Sequence, residues 1–170
     1  MMEVLVSIHD SGLGTWVRES TSLFAFTGIL FLHAVGLAFA VGVSAAIDLR
    51  ILGVAPRLPL APMEKLFPVI WAGFWINAVS GVPLLVANAT QDLINPVFYT
   101  KMLFIALAVV SVRLLKNQVF GNPASLDTNP APQKGRILAV ASLAFWAGAI
   151  VAGRLCEYPY LFGLDKWGLR

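Results

Sequence analysis

Four apolar runs, at about residues 20–47, 66–89, 96–115 and 136–158, divide this chain. Each is close to the ~20 residues that a helix rising 1.5 Å per residue needs to cross ~30 Å of hydrocarbon. The first two carry no formal charge. The expected fold is therefore all-α: an integral membrane four-helix bundle, one transmembrane domain over residues 1–170. Composition agrees, because 58% hydrophobic and 12% charged residues with a mean hydropathy of +0.79 leave too little polar surface to coat a soluble domain.

The segment before the first run contains Glu3, His9, Asp10 and Arg18 and lacks the basic start and apolar centre of a cleavable signal peptide. It reads as a short interfacial segment. With both termini on one side, Arg50, Arg57, Lys65, Arg113, Lys116, Lys134 and Arg136 fall on the opposite face, against Arg18, Lys166 and Arg170 on the terminal side. Counting Lys101 and Arg154, which lie within helices, with the terminal side narrows this to seven against five. Positive charge collects on the cytoplasmic side of membrane proteins, so both termini are expected on the non-cytoplasmic side. The net charge of +3 follows from this bias. No basic cluster is interleaved with stacking aromatics, so no nucleic-acid partner is expected. Cys156 is the single cysteine, which excludes an intrachain disulfide and any cysteine-rich metal site.

Between the first two runs, Pro56, Pro59 and Pro62 stop helix continuation, while Leu52, Val54, Leu58 and Leu60 keep the loop at headgroup level. Asn95 and Pro96 suit the cap and first position of the third helix. Residues 117–135, rich in Asn, Pro and Gly, read as a mobile cytoplasmic loop. Tyr160, Phe162 and Trp167 after the last run have the composition of a membrane–water boundary.

The residue that points most directly to chemistry is His33, near the middle of the first run. An imidazole at that depth needs a partner. Asn77 and Ser80, near mid-depth on the second helix, are candidate hydrogen-bond partners, and interhelical bonds of this kind contribute about 0.6 to 2 kcal/mol. The alternative is ligation of haem iron through one ring nitrogen, with the other held by a carbonyl or a polar neighbour. His33 shares its helix face with Ile29, Gly36, Leu37, Ala40 and Ser44. Small residues such as Gly36 and Ala40 either admit a neighbouring helix or open room for a flat macrocycle. Lys101, about a turn inside the third helix, and Arg154, about a turn before the end of the fourth, sit where haem propionates could be met; Arg154 could equally pair with Glu157. Soft copper ligation would want Met beside His. Of Met1, Met2, Met63 and Met102, only Met102 lies in a membrane helix, leaving His33 and Met102 as the possible metal ligands.

The runs Leu32-His33-Ala34-Val35-Gly36, Met63-Glu64-Lys65-Leu66-Phe67-Pro68 leading to Ser80-Gly81, and Asn95-Pro96-Val97-Phe98-Tyr99-Thr100-Lys101 resemble a group of largely uncharacterised bacterial four-helix membrane proteins over nearly the whole chain. In layout the chain is also similar to the copper-resistance D family and the small membrane protoporphyrinogen oxidases, which share a first-helix His and a third-helix Lys. Those positions correspond to His33 and Lys101, although the Trp that often follows the His is missing. The resemblance implies a bacterial cytoplasmic membrane protein with periplasmic termini, and haem b as cofactor.

The expected function is thus a membrane haem b protein acting in electron transfer or as a subunit of a membrane oxidoreductase. A copper or small-solute permease and a cofactor-free accessory subunit of a membrane complex are the alternatives, and protoporphyrinogen oxidation is a narrower form of the haem reading. The partners expected are the lipid bilayer and either further copies of the chain or a larger membrane complex.

Overall fold

The structure, a computed structural model, describes residues 2–121 and 132–158. The described residues are mostly helical, joined by turns, without strands. Two short helices, α1 (Met2–His9) and α2 (Gly12–Glu19), precede α3 (Phe26–Ile51), α4 (Phe67–Ala87), the single turn α5 (Ala89–Asp92), α6 (Pro96–Leu115) and α7 (Gln133–Leu155). A 3₁₀ helix (Ala61–Leu66) runs into α4, and a π-helical turn (Lys116–Phe120) prolongs α6. Helices α3, α4, α6 and α7 are long and apolar enough to cross a membrane.

Local chemistry sets the ends. Helix α3 begins at Phe26 rather than near residue 20, because the Ser20 and Ser22 hydroxyls accept the backbone N–H of Ser22 and Phe24 and divert the chain into turns. It runs past the expected end at residue 47 to Ile51, where Ile47 and Ile51 are buried. Gly53, at φ 100°, then donates to Arg50 O, and Val54 donates to Leu49 O. This paired closure uses a left-handed residue that glycine adopts without strain. Asn95 caps α6 by accepting from Val97 N at 2.9 Å, and Pro96 fills the first helical position, as the sequence predicts.

The expected loop 117–135 needs correcting at both ends. Residues 116–120 stay helical, and α7 has already started at Gln133. Val119 and Phe120 explain the first change: both are buried, and Phe120 meets the Phe67 ring edge-on at 5.2 Å. The rest of that loop, and the aromatic tail with Tyr160, Phe162 and Trp167, lie outside the described residues. Proline does not hold residues 49–62 wholly outside helix either, since Pro62 sits at the start of the 3₁₀ helix, where its missing N–H costs nothing.

Helix α3 packs along α4, α6 packs along α7, and α3 against α7 joins the pairs. Lipid tails are as apolar as leucine, so close backbone approach through small residues holds such helices together. The buried positions follow that rule: Gly36, Ala40 and Ser44 on α3, Gly73 and Ser80 on α4, Ala108 and Ser111 on α6, and Ala139, Ser142, Ala149 and Ala152 on α7. The large apolar side chains Phe31, Phe39, Trp75, Leu103 and Val151 point outward. The bulky core is confined to one end, where Ile47, Ile51, Phe67, Ile70, Leu115 and Phe120 cluster. At the other end Arg18 ties the short helices to the bundle, donating to His9 O at 2.6 Å and Ala87 O at 3.2 Å.

Candidate functional site: a histidine seated on α4

The α3–α4 crossing is set by two glycines. A Cβ on Gly36 would lie 2.5 Å from Asn77 N and 2.8 Å from Gly73 O, and one on Gly73 would lie 2.7 Å from Ala40 N. Backbone therefore meets backbone. One turn before Gly36, this closeness lets His33 reach the main chain of α4: its Nδ1 lies 2.8 Å from Asn77 O, and the Asn77 amide returns a 2.8 Å bond to His33 O. Gly81 leaves space for the ring, since a Cβ there would lie 3.1 Å from His33 Cε1. Ser80 Oγ, which donates to Ile76 O at 2.6 Å, stands 3.3 Å from the same Nδ1. Asn77 and Ser80 are the partners the sequence offers, with one difference. The principal acceptor for the ring is the Asn77 backbone carbonyl rather than its side chain.

That carbonyl can only accept, so Nδ1 carries a proton, and in the neutral ring this leaves the lone pair on Nε2. Among the described residues Nε2 has no hydrogen-bond partner, and it is not sealed from the molecular surface. A backbone carbonyl on one ring nitrogen and an open lone pair on the other is the arrangement in which histidines ligate metals.

The remaining site residues separate. Lys101 is half-buried and crosses to α7, where its Cε, Cδ and Nζ lie 3.5–3.8 Å from a Cβ placed on Gly153. Its charge acts on the His33 ring, and also on Asp92 and Cys156. Gly36 and Ala40 meet α4, so the small face of α3 is filled by a helix and leaves no slot for a macrocycle. Arg154 is exposed and turns to Tyr158, with its guanidinium 5.6 Å from the ring centroid and 3.4 Å from the hydroxyl, rather than to Glu157. Met102 is 48% exposed on the outward side of α6, and no group of three or more His, Cys, Asp or Glu gathers among the described residues.

Next to Lys101, a polar group closes the bundle end outside the spans. Asn95, 2% exposed, donates to Cys156 O at 3.4 Å. Burial pushes the Asp92 carboxyl up to about 6, with Lys101 opposing the shift and Glu157 adding to it. Burial likewise pushes the Cys156 thiol up, which keeps it in the unreactive protonated form.

Among the described residues, one cleft of about 310 Å³ lies between Phe67, Trp71, Arg113 and Lys116, and another of about 240 Å³ under Leu58, Met63 and Leu66. Both lie toward the bulky end, and Phe67 is ten residues, ~15 Å along α4, from Asn77. Neither adjoins His33. The donor fits haem iron, as an imidazole oriented through Nδ1, but the described residues do not enclose a porphyrin beside it.

Sequence reasoning missed Asp48, which is 0% exposed inside the bundle. Its signal was the spacing Ser44–Asp48, one helical turn, masked by its position just after the uncharged run. No known family profile, curated protein or solved structure matches this chain. The fold and its polar sites therefore define the class alone: an all-helical protein with four helices able to span a membrane.

Proposed function

We propose that this chain is a membrane haem b protein in which His33 Nε2 is an axial ligand of the iron. One observation carries the reading: the ring is fixed through Nδ1 on the Asn77 carbonyl, and among the described residues Nε2 is left without a hydrogen-bond partner in a helix long and apolar enough to cross a membrane. Lys101, half-buried near the start of α6 and laid against Gly153, is the cation proposed to meet a propionate. Gly36 and Ala40 are covered by α4, so the macrocycle is assigned away from that small face of α3. Haem b would supply a one-electron couple, which assigns the protein to electron transfer within or beside a membrane oxidoreductase. Seven cations on the loop side against five on the terminal side favour both termini on the non-cytoplasmic side, which is the periplasm if the membrane is the bacterial cytoplasmic membrane that the resemblance implies.

Protein expressed with ample haem and purified in detergent is expected to carry a Soret band that is lost in His33→Ala. A colourless wild-type protein, or a band that survives His33→Ala unchanged, would overturn the proposal.

A further inference from the structure

The second buried polar site lies on the other contact of α3, the one with α7. Ser44 and Asp48 stand one turn apart on α3, and Ser142 and Trp146 one turn apart on α7. Trp146 Nε1 donates to Ser44 Oγ at 3.2 Å, which locks the two helices in register. The four residues are 2%, 0%, 0% and 3% exposed, in the order named. The Ser44 and Ser142 hydroxyls lie against the Asp48 carboxylate, yet both carboxylate oxygens and Ser142 Oγ remain without a hydrogen bond. Three sealed, unpartnered oxygens at one point are rare in folded proteins, where buried polar groups are almost always satisfied.

Among the described residues no charged side chain neutralises Asp48. Arg50, on the same helix, is turned onto the carbonyls of Leu58 at 2.5 Å and Pro56 at 3.1 Å. Helix α4 carries no ionisable residue. Arg113 of α6 and Lys116 of the π-helical turn are exposed and lie over the Trp71 and Phe67 rings. Arg57 in the loop, Glu64 and Lys65 in the 3₁₀ helix, and Lys134 and Arg136 on α7 are exposed as well. Among the described residues none of these pairs with Asp48. An isolated buried charge costs several kcal/mol, so the carboxylate needs a positive charge from outside the protein.

We infer that Asp48, Ser44 and Ser142 form an intramembrane binding site for one monovalent cation, a proton or an alkali ion. The donor set decides the class. It is all oxygen, which suits hard cations and not copper or zinc, and its single negative charge matches a single positive one, whereas divalent sites gather several carboxylates. An ionisable residue inside a spanning helix is the usual mark of such a site. This inference does not rest on the reading of His33.

The test uses infrared difference spectra of the full-length protein in liposomes, recorded on exchanging Na⁺ for choline at fixed pH and, separately, on stepping pH without Na⁺. A carboxyl band that responds to at least one exchange, is lost in Asp48→Asn and persists in His33→Ala is expected. A response to Na⁺ assigns an alkali ion, and a response to pH alone assigns a proton. Where the responding cation is Na⁺, Ser142→Ala, which keeps the carboxylate and removes one oxygen donor, is expected to weaken it by about tenfold, the scale of one lost polar contact to a charge. Trp146 fluorescence, identified by its loss in Trp146→Phe, gives the same midpoint without relying on the Asp48 variant. No carboxyl response to either exchange, or a response that survives Asp48→Asn, would overturn the site.

Discussion

At the scale of single residues, backbone positions His33. The acceptor for Nδ1 is a main-chain carbonyl, so it survives any side-chain change at position 77. Asn77→Leu is expected to lose only the 2.8 Å bond to His33 O. It should lower stability by about 0.6 to 1.7 kcal/mol, within the range of interhelical bonds in membranes, while His33 keeps its orientation and any bound haem keeps its spectrum. Chemical unfolding in detergent micelles checks the first part and absorbance the second. The pairing of His33 with Asn77 and Ser80 was readable in the sequence because few polar side chains occupy the middle of these spans. Asp48 was not readable: the uncharged run ends at Ile47, and an acid just beyond it resembles a helix flank, whereas the helix continues to Ile51 and carries Asp48 inside.

At the scale of elements, the two halves of the bundle are held by glycine and alanine contacts. The α3–α4 crossing depends on Gly36 and Gly73, where a Cβ would approach backbone atoms within 3 Å. Backbone cannot retreat as a flexible side chain can. Gly73→Leu is therefore expected to destabilise the fold by about 1 to 3 kcal/mol or to separate α3 from α4. Gly42→Leu, with nothing within 4 Å, serves as the tolerated control in the same thermal-unfolding measurement. The existence and order of the spanning helices could be read from length and apolarity alone. Their ends could not, because serine turns at Ser20 and Ser22, the closure at Gly53 and the packing of Val119 and Phe120 decide them, and each is a local or tertiary effect that hydropathy does not register. The small face of α3 allowed both a helix and a macrocycle, and only the position of α4 decides between them.

At the scale of the whole molecule, the bulky core, which lies near Asp48, and the His33 site occupy different regions. The large apolar core fills the end near the 49–66 connection, while His33, Lys101, Asp92 and Asn95 belong to the other half. This division sets a pH dependence outside the spans. Asp92 binds its proton more tightly when folded, at about 6 against 3.8 for a free carboxyl, so its contribution to stability is fully present below 3.8 and is lost as pH rises through about 6. The apparent melting temperature should fall across that window in the wild type, and the Asp92 component of the fall should be absent in Asp92→Asn, which stays uncharged throughout. A wild type and variant with parallel melting profiles would refute this assignment.

Titration of haem b into the cofactor-free protein in detergent, followed by absorbance, tests the central reading most directly. A shifted Soret band that saturates near one haem per chain in the wild type, and no such saturation in a His33→Ala variant of unchanged helical content, is the predicted result. Equal haem uptake by the two proteins, or none by either, would contradict it.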